Sequence, residues 1–404
     1  MNLSILSVIF TKIYILAVIT VKNCFRRLMS HHIRDIIKTT SERRQINMVK
    51  RESYMKRIRP FFGNDLIKAL IGLHRSGKSV MLDLIKEELC ASGVDSSQFI
   101  SINFENMRNA HLCTAVALHD EIIRRASEIK DKVYLFFDEI QEVDAWEKCI
   151  NSFRVELDCD IYITGSNAKL LSGELATYLA GRYVEFVIYP FSFAEFIELY
   201  HTIFPNADIR QCFSKYLRAG GMPYLSNLRY DETASRQYLR DLFNSVELKD
   251  IVKRNNIRDV DMLERIIAYV TSNIGTTFSS TAISKYLKSE GRSISPETVL
   301  SYIKACTDAF LFYQVKRQDL QGKKILTVNE KYYVADHGIR EAVFGGNMKD
   351  INLVMETSST WSSCAGDTPL PSARQEIKKS TSYVKIRETS CISKWLICWP
   401  PQIS

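Results

Sequence analysis

The strongest chemical signal in the chain is a glycine-rich stretch that ends in lysine and serine. Residues 72–79 read Gly-Leu-His-Arg-Ser-Gly-Lys-Ser, which is the G-x-x-x-x-G-K-S spacing of a phosphate-binding P-loop. Glycines let backbone N–H groups face phosphate, and the N-terminus of the following helix adds positive potential. We expect seven residues of this stretch to bind ATP: Gly72, Arg75, Ser76, Gly77, Lys78, Ser79 and Val80.

A second set of candidate residues follows an apolar segment. Residues 133–137 are all apolar, which is typical of a strand buried on both faces, and Asp138 and Glu139 come directly after them. We predict that Lys78 reaches the β- and γ-phosphates and that the Ser79 hydroxyl binds Mg²⁺. Asp138 is expected to hold Mg²⁺ through water. Glu139 is placed to orient or deprotonate the attacking water, so the pair is interpreted as a Walker B motif.

Two further polar residues are candidates for contact with the γ-phosphate. Asn167 follows a predicted strand at 160–164, and such a residue lies between the P-loop and Walker B strands of a five-stranded ATPase sheet. Its alternative role is the N-cap of a helix that starts at Ala168. Arg182 precedes a predicted strand at 183–189 and can neutralise γ-phosphate charge in cis or from a neighbouring subunit. A surface position in a turn explains Arg182 equally well.

The elements that position these residues are predicted from hydrophobic patterning. Residues 66–71 read as a buried strand, and five apolar residues then recur at helical spacing: Val80, Met81, Leu84, Ile85 and Leu89. Strand, loop and helix therefore follow in the order that a P-loop requires. The fold class predicted is α/β, a P-loop NTPase parallel sheet with helices on both faces, followed by a helical segment and a winged-helix domain.

Four segments together resemble a known family: GLHRSGKS, LFFDEIQEVDAWEK, IYITGSNAKLLSGELATYLAGRYVEF and YPFSFAEF. They are similar to prokaryotic AAA+-type ATPases that carry a C-terminal domain of unknown function, and the resemblance runs from about Met48 to about Glu356. It implies a P-loop domain, a winged helix and a small nuclease-like fold of the PD-(D/E)xK type. It also implies nucleotide-site positions for six residues: Lys78, Ser79, Asp138, Glu139, Asn167 and Arg182.

The region after the ATPase motifs reads as helices and then as a winged helix. Helical patterns cover 191–270, with a break at residues 220–223, and recur at 279–289 and 295–308. Strands are predicted at 311–316, 324–328 and 332–334. One interpretation is DNA binding through basic residues: Lys304, Lys316, Arg317, Lys323 and Lys324. The other is a structural or protein-binding role, which the interspersed acids Glu297, Asp308 and Asp319 favour slightly.

Composition limits the class of protein. The 404 residues are 46% hydrophobic and 25% charged with a net charge of +8, which excludes a wholly disordered chain and a polytopic membrane protein. The charge permits a nucleic-acid partner without arguing for one. None of the 10 cysteines has C-x-x-C spacing, and the 7 histidines form no ligand set with them. We therefore expect a reducing cytoplasmic location and no structural zinc.

Both ends of the chain depart from this pattern. Residues 3–21 are almost all apolar and read either as a membrane anchor or as translated sequence ahead of a true start at Met48, which we favour. From Thr357 onwards serine, threonine and tryptophan crowd together without helical or strand period. A one-base frameshift after Glu356 explains this, because the restored frame encodes an amphipathic helix and then an acid pair. No nuclease activity is expected from the frame as it stands.

These observations predict five segments: an extension at 1–47, an AAA+-type ATPase domain at 48–204, a helical linker or lid at 205–270, a winged-helix-like domain at 271–345, and a nuclease-like remnant at 346–404, out of frame from about 357. The function predicted is Mg²⁺-dependent ATP hydrolysis that drives or gates an unknown protein partner. The alternative is a nucleotide-dependent DNA-binding adaptor or switch with little turnover. Weak DNA contact and a homo-oligomer stay open, and a membrane partner is not expected.

Overall fold

The computed structural model describes residues 49–168, 181–315 and 330–345. Several predictions lie outside these residues. They are the apolar segment 3–21, most of the helix expected after Ala168, the strand at 324–328, four of the five basic winged-helix residues and the whole tail from Thr357. Within the described ranges, no helix combines the length and the apolar character needed to cross a membrane.

A five-stranded parallel sheet forms the centre of the first half of the chain. Its strands are β1 Ile67–Ile71, β2 Phe99–Asn103, β3 Val133–Asp138, β4 Cys159–Gly165 and β5 Tyr183–Val187. They lie in the order β2-β3-β4-β1-β5, so β4 lies between β1 and β3 as predicted. Every residue of β1, β3 and β4 is buried, which is why these segments are mostly apolar on both faces.

Helices cover both faces of this sheet and divide its core in two. Alternate strand residues face opposite sides, so Leu70 and Phe136 pack with Ile85 while Ala69 packs with Phe153. Among the described residues of this part there are four α-helices: α1 Glu52–Ile58, α2 Lys78–Ala91, α3 Ala115–Ala126 and α4 Trp146–Glu156. Short 3₁₀ helices lie between the longer elements at Arg59–Phe61, Ser96–Gln98, Met107–Leu112 and Ile140–Glu142. The predicted α/β fold class is confirmed.

The second half is helical, and a small β-hairpin precedes its last described helix. Its helices are α5 Phe193–Ile203, α6 Ile209–Ala219, α7 Glu232–Ser245, α8 Val260–Ser272, α9 Ser280–Ser289, α10 Pro296–Asp308 and α11 His337–Phe344, with a one-turn helix at Pro223–Ser226. The hairpin consists of β6 Phe312–Val315 and β7 Lys331–Val334, paired antiparallel. Within the helical pattern predicted across 191–270, α7 continues as a π-helix at Val246–Lys253. Apolar spacing did not distinguish the two hydrogen-bonding patterns.

The last described helix, α11, packs against helices from the beginning of this half. α11 packs against α6 and α7, and its N-cap Asp336 is buried and accepts a hydrogen bond from the Gly221 N–H at 2.6 Å. Gly338 lies so close to α6 that an added Cβ would be 2.0 Å from the Ala219 carbonyl oxygen. The chain after the hairpin therefore fixes the Gly220–Gly221 turn, which adjoins the sheet through a hydrogen bond from Phe191 N to Gly221 O.

Candidate functional site

The candidate residues gather at the carboxyl edge of the sheet. All strands run parallel, so the loops after β1, β3 and β4 leave the sheet at the same edge. In open α/β sheets this edge is where ligands bind. The loop at residues 72–79 follows β1, Asp138 ends β3, and Asn167 comes two residues after β4. The sheet order thus brings these three groups together from distant parts of the chain.

The backbone of the glycine-rich loop adopts conformations that need its glycines. Gly72 has φ 151°, and an added Cβ there would be 2.3 Å from the Ile188 carbonyl oxygen. Arg75 and Gly77 both have left-handed backbone, with φ 63° and 99°. Successive N–H groups in such turns form a concavity for anions, and α2 begins directly after Gly77 with its positive end in the loop. The loop can therefore hold phosphate oxygens.

Lys78 is the buried cation of this loop. Its Nζ donates hydrogen bonds to the carbonyl oxygens of Gly72 and Leu73 at 3.2 and 3.1 Å. The same Nζ is 3.5 Å from Oε1 of Glu139. These contacts hold the ammonium between the loop and the acidic end of β3. A phosphate group entering the loop would offer Lys78 stronger, charged acceptors than the two carbonyls.

Asp138 is held at both carboxylate oxygens by neighbouring strands. Thr164 Oγ1 donates to Oδ1 at 2.6 Å, and Asn103 Nδ2 donates to Oδ2 at 2.7 Å. Burial raises the pKa of Asp138, and hydrogen bonds from Thr164 and Ser79 oppose that rise. The contact with Ser79 places a hydroxyl beside a carboxylate. These are the hard oxygen donors that Mg²⁺ prefers, with water completing its shell, so the residue set fits that ion.

Glu139 is buried and takes an unusual backbone conformation. Its φ is 55°, a left-handed value that is uncommon for a residue other than glycine and often marks a functional site. Its N–H donates to Thr164 Oγ1 at 2.8 Å, and Gln141 Nε2 donates to its Oε2 at 2.5 Å. Burial alone would raise the pKa of Glu139, but the charge of Lys78 and the hydrogen bond from Gln141 outweigh it and lower the pKa. The side chain is therefore a carboxylate at neutral pH.

The remaining predicted residues lie at both edges of the sheet. At the carboxyl edge Asn167 is buried, whereas Ser79, Val80 and Arg75 are exposed around the loop. Arg182 lies at the opposite edge. Its carbonyl oxygen accepts from Ile67 N at 2.9 Å, and its Nη1 donates to Asn151 Oδ1. The length of β1, roughly 17 Å at strand rise, separates it from the loop, so contact with this chain's own nucleotide site does not fit the geometry.

Sequence reasoning missed Arg51, a buried arginine whose side chain hydrogen-bonds to the backbone of the loop. Its Nη1 donates to the carbonyl oxygen of Ser76 at 3.1 Å, and its Nη2 donates to the carbonyl oxygen of Tyr189 at 2.7 Å. Glu195 balances its charge at 2.8 Å from Nε. These contacts join the loop to the chain after β5. No motif marks Arg51, because it is one of several basic residues before β1.

Thr164 and Asn103 were also missed as site residues. Thr164 is fully buried and contacts both acidic residues, since its hydroxyl donates to Asp138 and accepts from the Glu139 N–H. A polar residue at the carboxyl end of a buried strand was the available signal. Asn103 ends β2 and had no comparable signal, because β2 itself was not predicted.

Residues from the second half of the chain complete the surroundings of the site. The Pro223 ring lies 3.8 Å from where a Cβ on Gly77 would be. The π-helix brings Lys249 to within 3.6 Å of Glu105 and 3.8 Å of Glu142. Arg254 Nη2, just after the π-helix, is also 3.8 Å from Glu142. Glu105 and Glu142 follow β2 and β3 at the carboxyl edge, so the helical half contacts the rim of the site.

The sheet order, the loop after β1 and the buried carboxylates after β3 define an α/β protein of the P-loop NTPase class. The AAA_14 family, described as an AAA domain, matches residues 64–197, and the family described as Domain of unknown function (DUF8612) matches residues 210–350. The chain belongs to this family of AAA-domain proteins with a C-terminal domain of unknown function.

Two curated relatives carry no assigned function. An uncharacterised protein of Haemophilus influenzae is 37% identical over 298 residues, which is 74% of this chain and 74% of that protein. An uncharacterised protein of Methanocaldococcus jannaschii is 30% identical over 279 residues, 67% of this chain and 60% of the relative. They place the chain in a family without naming its partner.

Two solved structures of nucleotide-bound proteins are distantly similar. The Aeropyrum pernix ORC2 protein in ADPNP–ADP complexes matches with a TM-score of 0.36 and 11% identity, over 78% of this chain and 93% of that chain. AMPPCP-bound DnaA from Aquifex aeolicus matches with a TM-score of 0.29 and 14% identity, over 63% and 86%. Scores this low carry no argument about function.

Proposed function

We propose that this protein binds ATP with Mg²⁺ in the loop at residues 72–79 and hydrolyses it. The observation that carries the proposal is the position of Lys78, whose ammonium lies between the loop carbonyls and Glu139, 3.5 Å from that carboxylate. A phosphate-binding backbone, a buried cation and an ionised buried carboxylate within reach of one another are what phosphoryl transfer to water requires.

Each residue then has a chemical role. Seven residues cradle the phosphates with backbone N–H groups and side chains: Gly72, Arg75, Ser76, Gly77, Lys78, Ser79 and Val80. Lys78 exchanges its carbonyl acceptors for the β- and γ-phosphate oxygens. Asp138 and Ser79 would hold Mg²⁺, which when bound neutralises charge that develops on the phosphates. Asn167 lies at the same edge and is proposed to face the γ-phosphate.

Glu139 supplies the base in this proposal. A water held by its carboxylate attacks the γ-phosphorus, the bond to the bridging oxygen breaks, and ADP leaves with the electron pair. Glu139 accepts the proton that the water loses as it adds to phosphorus. Its pKa is lowered mainly by Lys78 against the effect of burial, so it is ready to accept a proton at neutral pH.

The proposal is tested by Lys78→Ala. Loss of the one cation directed at the phosphates should abolish Mg-ATP binding and turnover in a folded protein. Lys86→Ala is the matched control, because Lys86 lies on the same helix but contacts Asp83 and Ser101. Undiminished ATP affinity in folded Lys78→Ala protein would refute the assignment of the loop.

We propose that residues 271–345 include a winged helix built on α9, α10 and the strands β6 and β7, and that it contacts DNA weakly if at all. Two helices and an antiparallel hairpin support the first part. Of the basic residues considered, Lys304 is described and is exposed on α10, where Glu297 lies on the same helix. Few phosphates can be neutralised by so mixed a surface. Submicromolar binding of duplex DNA near physiological salt, lost in Lys304→Ala, would instead favour a DNA-binding switch.

An oligomer would give Arg182 a role that its own site cannot. Arg182 is exposed at the amino edge of the sheet, so any contact with a nucleotide has to be with that of a neighbouring copy. We propose this trans arrangement in place of the cis one. Its test is the dependence of turnover on protein concentration, which a trans contact makes steep.

A further inference from the structure

The π-helix at Val246–Lys253 contacts the acidic rim of the proposed ATP site. It continues α7 and lies well beyond residue 197, where the match to the AAA domain ends. Helices rarely adopt π geometry, and where they do it is frequently at functional sites.

Two basic side chains of this segment pair with two glutamates at the carboxyl edge. Lys249 Nζ is 3.6 Å from Glu105 Oε1 and 3.8 Å from Glu142 Oε1. Arg254 Nη2 is 3.8 Å from the same Glu142 oxygen. Glu142 is thus held by two cations from the helical half of the chain.

Glu142 is one hydrogen bond, and Glu105 two hydrogen bonds, away from a residue with a proposed role in the ATP site. The Glu142 N–H donates to the carbonyl oxygen of Glu139 at 3.1 Å and closes the turn Ile140–Glu142 that begins after Glu139. The Glu105 N–H donates to Asn103 Oδ1 at 2.9 Å, and the amide of Asn103 in turn donates to Asp138. The ion pairs of Glu142 therefore act on the backbone next to Glu139, and the ion pair of Glu105 acts next to the amide that holds Asp138.

Glu139 needs such support because its backbone is strained. A left-handed φ of 55° in a residue with a Cβ persists only where the surrounding structure over-determines it. Thr164 fixes its N–H from one side. The ion pairs at Glu142 fix the turn that follows it, so the conformation of Glu139 is held at both ends.

Arg254 is itself fixed by a buried acid. Asp250 lies within the π-helix and is 3% exposed, its Oδ1 is 3.4 Å from Arg254 Nη2, and that oxygen accepts no hydrogen bond from the described residues. A buried carboxylate without compensation is costly, so it retains the guanidinium beside it. Burial raises the pKa of Asp250, and the charges of Arg254 and Lys249 oppose that rise.

We propose that Arg254, with Lys249, is a positioning pair for Glu139: it clamps the turn Ile140–Glu142 through Glu142 and thereby completes the ATPase site from beyond the AAA domain. The inference rests on the proposed ATP hydrolysis. Arg254 acts here through Glu142 rather than through a phosphate, so its removal should slow turnover and leave ATP affinity nearly unchanged.

The test is a double-mutant cycle with Arg254→Gln and Glu142→Gln, measured as kcat and KM for Mg-ATP hydrolysis. Each single variant should lower kcat about tenfold with KM within about twofold, and the double variant should be no worse than either, because both remove one contact. Arg236→Gln is the matched control. Arg236 is exposed and pairs with Glu232 at 3.7 Å within α7, so its removal should leave kcat unchanged.

Three results would overturn the proposal. A large rise in KM with unchanged kcat in Arg254→Gln would mean direct phosphate contact. Values of kcat equal to the Arg236→Gln control would mean a solvated ion pair of no consequence. Multiplicative losses in the double variant would mean that the two residues act separately.

Folding and the parent activity are controlled separately. Should Arg254→Gln unfold because Asp250 loses its cation, Glu142→Gln leaves the Arg254–Asp250 pair intact and tests the same link. A parent protein without turnover would refute the proposed function, and this inference with it. A parent with turnover that is lost in Lys78→Ala but unaffected in Glu142→Gln would refute the positioning role alone.

Discussion

The two edges of the sheet each carry a buried lysine paired with a carboxylate, and the pairs differ in how completely they are satisfied. At the amino edge Lys68 Nζ lies 2.6 Å from Asp160, and both side chains are fully buried. The Asn64 carbonyl accepts a further hydrogen bond from Lys68, while Gly63 N and Tyr162 Oη donate to Asp160. At the carboxyl edge Lys78 and Glu139 are 3.5 Å apart.

The difference indicates which pair can change partners. Lys68 and Asp160 hydrogen-bond to each other and to neighbouring groups of the sheet at short distances, so neither side chain is available to bind a ligand. Lys78 is held by two neutral carbonyls and a more distant carboxylate, next to left-handed backbone at Arg75, Gly77 and Glu139. Burial is common to both pairs. The functional pair differs because Lys78, in a loop after a strand, has longer contacts and neutral hydrogen-bond acceptors, which a ligand can replace.

The largest effect is expected on the unfolding free energy when the pair at the amino edge is removed. Lys68→Met leaves Asp160 buried without its cation, and losing one member of a buried pair costs about 3–5 kcal/mol of unfolding free energy. Chemical denaturation measures this cost. ATP affinity of the folded fraction should match the parent. If affinity instead falls as far as in Lys78→Ala, the two edges are not functionally separate.

A smaller effect is expected from Thr164→Val at the carboxyl edge. The change keeps the shape but removes one hydroxyl that holds both Asp138 and the Glu139 N–H. We expect unfolding free energy to fall by about 1–3 kcal/mol and turnover to fall about tenfold.

Thr271→Val is the matched control for this change, because the Thr271 hydroxyl is buried and has no hydrogen-bond partner among the described residues. Both variants are compared by steady-state hydrolysis and thermal unfolding. Equal turnover in the two would show that Thr164 does not position the carboxylates.

The smallest effect is expected at Arg182. At low protein concentration Arg182→Ala should alter turnover by less than about twofold, as for a surface substitution, because its side chain contacts Asn151 away from the loop. At high concentration the parent should gain activity that the variant lacks, if a neighbouring copy receives this arginine. The same concentration dependence in both proteins would remove Arg182 from the mechanism.

Sequence patterns predicted four of the five strands, and the positions in the chain of the groups that follow three of them, because local rules act there. The motif at residues 72–79 and the apolar run before Asp138 placed both groups, and the strand before Asn167 was found between them. Arg182 was assigned from its neighbourhood in sequence. A residue before a parallel strand lies at the opposite edge from one after it, so of the alternatives left open for Arg182 the cis contact does not fit this topology, while the trans contact stays a prediction.

Contacts that reach the site from elements outside the sheet could not be predicted. Arg51, Pro223, Lys249 and Arg254 reach the site only because separate elements fold over the edge of the sheet, and none has a local signature. The π-helix was hidden because its buried residues repeat at a spacing close to that of an α-helix. Long-range packing, rather than propensity, determines these positions.

The most direct test of the account is Glu139→Gln, assayed for Mg-ATP binding and for single-turnover hydrolysis in the same preparation. The amide retains the size of the side chain but cannot accept a proton from water. We predict that the variant binds ATP as tightly as the parent and hydrolyses it about 10²–10⁴ times more slowly. Hydrolysis at the parental rate would contradict the account, because the base would then lie elsewhere.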